Sequence, residues 1–134
     1  MFCREHVAQL REREKGFTLK GATIAAVSLG DAAYARIFRE ETGITFPLLI
    51  DEARAAYNAV GLQNGSIFHV LRADNFAARS RAKAGGHSQH KLGRNPFQLG
   101  GSFIFGPSNV DLYAHLSATF GDNAPVAELL AALP

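Results

Sequence analysis

The chain alternates short apolar runs with amphipathic stretches, in an order that predicts an α/β architecture. Residues 1–15 read as an amphipathic helix. Cys3, Val7 and Leu10 fall close to one face with Phe17, while Arg4, Glu5, Arg11, Glu12, Arg13 and Glu14 supply solvated charge, and Gly16 is the expected stop. Residues 22–29 are near-continuously apolar and close at Gly30, the pattern of a parallel strand covered on both faces and central in its sheet. Asp31 is placed to cap a helix that turns Tyr34, Ile37 and Phe38 inward and ends at Thr42-Gly43. Residues 46–50 form a short strand; Pro47 has no N–H to donate, so it begins the strand or the strand lies at an edge. Asp51 caps the next helix, which carries Ala55, Tyr57 and Val60 and is ended by Gly61 ahead of a turn at 62–65.

Residues 66–84 are helical in composition, with Ile67, Val70, Leu71 and Phe76 as anchors, and Arg72, Arg79, Arg81 and Lys83 crowd their second half. Residues 85–101 read as loop. Residues 102–105 and 110–115 are two strands joined by Gly106-Pro107-Ser108-Asn109, which makes an antiparallel hairpin. A last helix starts near Asn123 with Pro125 in its first turn and turns Val126, Leu129, Leu130 and Leu133 inward. Parallel and antiparallel pairing are therefore both expected in one sheet flanked by helices.

The length of 134 residues suits one domain, 1–134, with no internal repeat and no dividing linker. With 47% hydrophobic and 19% charged residues and a formal charge of +2, neither disorder nor a general polyanion partner is implied. One cysteine excludes an intrachain disulfide. The absence of a bilayer-spanning apolar run or a signal-peptide core makes a cytoplasmic location, off the membrane, the expectation.

Cys3 carries the most chemistry. The first turn of a helix leaves N–H groups unpaired and holds partial positive charge, which favours a thiolate and can lower a thiol pKa from roughly 8.5 into a range of about 3.5–7.5. Arg4 pushes the same way. The bland alternative is a packed small hydrophobe. His6, one turn on, either supports a thiolate or is an idle exposed histidine. His87 and His90 have metal-like spacing but no convergent second pair of ligands, so no metal site is expected. The basic run from Arg72 to Arg94 offers phosphate or nucleic-acid binding, a lid that attracts an anionic substrate, or a solvated face; no specific nucleic-acid partner is expected. Gly100-Gly101 permits either close approach of backbone to a reacting group or a simple strand entry.

Five segments in one order carry a resemblance: Phe2-Cys3-Arg4-Glu5 with Ala8 and Leu10, Phe46-Pro47-Leu48 with Asp51, Tyr57 with Val60-Gly61-Leu62, Gly100-Gly101 with Phe103-Ile104-Phe105, and Phe120-Gly121-Asp122 with Pro125. Together the chain resembles a peroxiredoxin-like protein of the alkyl hydroperoxide reductase/thiol-specific antioxidant (AhpC/TSA) superfamily. The resemblance implies a thioredoxin-like fold and a cytoplasmic antioxidant oxidoreductase that reduces small peroxides or disulfides at the expense of a thiol reductant, without a cofactor and with homodimerisation open. On that reading Cys3 and Arg4 are the catalytic candidates and Gly100 and Gly101 line the substrate approach. Relatives of this kind run a strand into a Cys-x-x-Cys at the start of the first helix, and the resemblance implies that the first of the two cysteines is the attacking thiol. Cys3 matches the second cysteine, and the first would fall one residue before Met1. Ser102 and Phe103 stand where peroxiredoxins commonly carry an arginine, which leaves Arg4 as the nearby cation. The alternatives are a non-catalytic truncated thioredoxin-like fragment and an interaction module that uses the basic loop.

The resemblance puts the absent first inner strand between residues 22–29 and 102–105, so two interior edges are expected to be bare. Each forfeits about three to five backbone hydrogen bonds at roughly 1 kcal/mol net. Restoring an in-frame upstream strand is expected to raise the melting temperature markedly. A monodisperse monomer of the 134-residue chain that melts cooperatively at about 55 °C or above would contradict that placement.

Overall fold

A computed structural model of the chain describes residues 2–62 and 98–134. The expected helix at 66–84, nearly all of the loop at 85–101, the basic run and the His87/His90 pair lie outside the described residues.

Helix α1 (Phe2–Glu12) is followed at once by α2 (Glu14–Leu19), the two separated by a break at Arg13, whose backbone is no longer helical. Gly16 therefore does not stop the first helix, as expected from sequence, but sits inside α2. A Cβ there would come 3.3 Å from Leu130 Cδ2, so the missing side chain serves close packing against the last helix. Strand β1 (Ala26–Ser28) leads into α3 (Ala32–Thr42), where the Asp31 carboxylate accepts the Tyr34 N–H at 2.8 Å and Gly43, at φ 64°, closes the far end. Strand β2 (Leu48–Ile50) follows Pro47 and pairs parallel to β1 in the register Ala26↔Leu48 to Ser28↔Ile50. Pro47 contributes only its carbonyl, which accepts the Ala26 N–H at 2.9 Å, as its place at the strand entry requires.

The apolar run 22–29 was expected to form a long strand buried on both faces, but the strand is three residues long and Val27 is 41% exposed. A strand extends only as far as it has partners. Here β2 begins after Pro47, and among the described residues no strand pairs along the other edge of β1. Helix α4 (Ala55–Ala59) starts on the Asp51 carboxylate, which accepts the N–H groups of Ala55, Ala56 and Tyr57 at 2.9, 2.8 and 3.2 Å. The expected hairpin is present as β3 (Gly101–Phe105) and β4 (Asp111–Leu116), antiparallel around a 3₁₀ turn at Pro107–Asn109, with a bulge at Ile104/Phe105. Both kinds of pairing occur as expected, but among the described residues β1–β2 and β3–β4 are two separate two-stranded sheets and not one, since no described strand bridges them. Helix α5 (Val126–Ala131) begins directly after Pro125.

Two hydrophobic clusters hold these elements. One joins Val7, Phe38, Ile44 and Phe46, and the other joins Phe17, Ala124, Leu129 and Leu133; Leu10 and Ile24 pack against both. Phe46→Ala, which empties the centre of the first cluster, is expected to cost about 3–5 kcal/mol in a urea unfolding titration, whereas Leu49→Ala on the exposed face of β2 should change stability by less than about 1 kcal/mol.

Candidate functional site

The sequence pattern put Cys3 on the apolar face of α1 and Arg4, Glu5 and His6 in solvent. The structure reverses this. Cys3 is exposed, while Arg4, Glu5 and His6 are 5%, 7% and 9% exposed. Arg4 can be buried because its charge is met twice. Its guanidinium pairs with Glu41 on α3 and lies 5.6 Å over the Phe38 ring. Cys3 and Arg4 are thus neighbours in sequence with different surroundings, the thiol in solvent and the guanidinium spent on holding α1 against α3.

Cys3 lies within electrostatic range of two phenols, Tyr34 of α3 and Tyr57 of α4. Burial, ahead of these charges, pushes the Tyr34 hydroxyl up from its ordinary value, and burial again pushes Tyr57 up to about 12, helped by Cys3 and then Asp51. The Tyr57 hydroxyl donates to the Val27 carbonyl at 3.0 Å. Sequence reasoning placed Tyr57 on the helix after Asp51 and among the segments that carry the family resemblance, without a role at the site. The signal that could have promoted it was Asp51, whose cap fixes the first turn of α4 and hence the direction of the phenol.

Arg54, also missed, precedes α4 in left-handed backbone (φ 59°), and its guanidinium donates to the Gln98 side chain, tying the start of α4 to the approach to β3. Of the glycine pair, Gly100 has open space where a side chain would stand. At Gly101 a Cβ would meet the His115 carbonyl and Leu62 Cδ2, each at 2.8 Å. The hairpin itself therefore demands glycine at 101, and only Gly100 presents unobstructed backbone.

A second polar group stands behind α1. The His6 ring donates to the Ala124 backbone carbonyl, and its Nε2 is buried without a partner among the described residues. His115 of β4 lies close enough for its charge to matter to His6, and it stands 3.1 Å, through Nε2, from Asp122 Oδ1. Among the described residues no three His, Cys, Asp or Glu side chains are grouped to hold a metal ion, and no helix is long and apolar enough to cross a membrane.

The mixed α/β scaffold agrees with what sequence comparison finds. The profile of the family described as AhpC/TSA antioxidant enzyme matches residues 9–119. The chain belongs to the AhpC/TSA family. Its α/β architecture is that of the family's thioredoxin-like fold. Peroxiredoxin-like 2C of Bos taurus is 26% identical over 140 residues, covering 96% of this chain and 60% of the relative. Peroxiredoxin-like 2C of Homo sapiens is 25% identical over 140 residues, covering 96% and 61%. The chain thus spans about three fifths of the length of these curated relatives. No solved structure matches it.

The Tyr57 phenol gives this site an alkaline signature. An acid whose folded pKa is raised favours the fold while it is protonated, so its contribution is complete below the ordinary value of 10.0 and is lost as pH climbs toward about 12. Unfolding titrations at pH 9 and pH 11 should show stability falling, and Tyr57→Phe should shrink the fall; an undiminished fall would assign it to other groups.

Proposed function

We propose that this AhpC/TSA chain acts by thiol-based reduction of a small hydroperoxide or disulfide, with Cys3 as the reacting thiol, in a reducing compartment such as the cytoplasm. The observation that carries the reading is the placement of Cys3, solvent-exposed in the first turn of α1, in a chain of this family. With a hydroperoxide, the Cys3 Sγ thiolate attacks the outer oxygen, the O–O bond breaks, and the departing alkoxide takes a proton to leave as an alcohol. Cys3 is oxidised to the sulfenic acid and the peroxide is reduced. Two equivalents of an external thiol then return Cys3 to the thiol, yielding one disulfide and one water.

In this scheme Arg4 is a positioning residue that holds α1 through Glu41 and Phe38, and the open backbone at Gly100 leaves room for substrate beside the hairpin. The external thiol replaces a second cysteine of the chain, since Cys3 is its sole cysteine.

The test is intact-mass spectrometry of the native protein after stoichiometric cumene hydroperoxide, with dithiothreitol as the reductant. A single added oxygen, reversed by dithiothreitol and absent in Cys3→Ser, is the expected result. Alkylation by iodoacetamide should also proceed on the folded protein at a rate within about tenfold of the unfolded chain, as exposure dictates. A folded protein that is alkylated only after denaturation and forms no oxygen adduct would overturn the reading.

A further inference from the structure

The buried imidazole of His6 is used by none of the chemistry above, and its surroundings define a function for it. It sits one turn beyond Cys3 on α1 and is more than nine-tenths buried. One ring nitrogen is spent on the Ala124 carbonyl, in the segment that leads into α5, and Nε2 meets no acceptor among the described residues. Ala124 itself is 1% exposed and belongs to the second hydrophobic cluster, so the imidazole closes the contact between α1 and that cluster.

The charged groups around it come from three places. Glu5 is its neighbour on α1, His115 of β4 lies within range for its charge to act on it, and Asp122, which engages His115 and also accepts the Ala118 N–H at 2.8 Å, holds the turn before Ala124. Arg4 of α1 and Glu41 of α3 are paired with each other.

We propose that His6 is an acid-sensitive latch: neutral, it fastens the Cys3-bearing end of α1 to the segment at Ala124, and protonated, it releases that end. The added proton, drawn from solvent, would place a second N–H and a full charge at a buried Nε2 that has no protein acceptor among the described residues and lies within range of another histidine's charge. Opening the contact hydrates the imidazolium at the expense of one hydrogen bond and a small apolar area. Burial lowers the affinity of the closed form for the proton, with His115 acting in the same sense and the Ala124 carbonyl and Glu5 against it. The latch is accordingly full above the ordinary histidine value of 6.5 and weakens as pH falls below it. Its bearing on Cys3 reactivity rests on the preceding proposal; the latch itself does not.

Hydrogen exchange of backbone amides reads it directly. Between pH 7.5 and 5.0, protection factors in α1 and in residues 117–124 of the full chain should fall below about pH 6.5, by up to about tenfold per pH unit for one linked proton. His6→Asn keeps a donor at the Nδ1 position and cannot charge; its protection should be flat across the same range. Cys3→Ser should retain the wild-type profile, so a failed peroxide assay with an intact profile removes the redox reading and leaves the latch. Protection in the wild-type chain that does not change over this range would overturn the proposal whether or not His6→Asn folds. The same pH-dependent loss in a folded His6→Asn protein would overturn it as well, by assigning the effect to other groups.

Discussion

The seat of α1 is the constraint on which the rest of this structure depends. Leu10 on the helix and Ile24 ahead of β1 touch both hydrophobic clusters, so the packing of α3 and β2 on one side and of the hairpin and α5 on the other is joined through them. A helix in that position would ordinarily present an apolar stripe and nothing else. Here three consecutive polar residues, Arg4, Glu5 and His6, are buried beside Val7 and Ala8. Taking such groups out of water costs several kcal/mol each unless partners are supplied. Glu41 and the Phe38 ring supply them for Arg4, and the Ala124 carbonyl for one side of His6. These partners stand 34 to 118 positions away in sequence, so the first turns of α1 are fixed only once those distant elements are assembled.

That distribution explains what could be read from the sequence and what could not. Asp31, Gly43, Asp51, Gly61 and the Gly106–Asn109 turn act on backbone groups within a few residues, and local stereochemistry dictates where they sit; helix ends and hairpin were legible for that reason. Pro47 belongs with them, since a missing N–H restricts a strand whatever its neighbours are. The environment of α1 was not legible. A charged residue in a helix is normally solvated, and only α3, with Glu41 opposite, makes Arg4 an interior residue. Gly16 misled for a similar reason: its lack of a side chain answers to Leu130, more than a hundred positions on, and not to the end of a helix. Of the candidate site, Cys3 and its helix start were readable from residue type and position, whereas Tyr57, Arg54 and the burial of His6 are products of tertiary placement.

Each of the two small sheets keeps an edge without a described strand. In the parallel ladder the Ala26 N–H and the Ser28 carbonyl bond toward β2, so the groups of Val27 point the opposite way, to an edge that no described strand occupies. In the hairpin, the Ser117 N–H bonds the Gly100 carbonyl, and by alternation Gly101 and Phe103 likewise present their backbone groups away from β4. A carbonyl at such an edge needs a partner, and at Val27 the Tyr57 phenol provides it. One hydroxyl therefore satisfies the strand edge, seats α4 against β1, and brings a phenol into the electrostatic neighbourhood of Cys3. Because that hydroxyl is committed as a donor to Val27, it is not free to donate to a thiolate. The sulfur of Cys3 itself stays open to solvent.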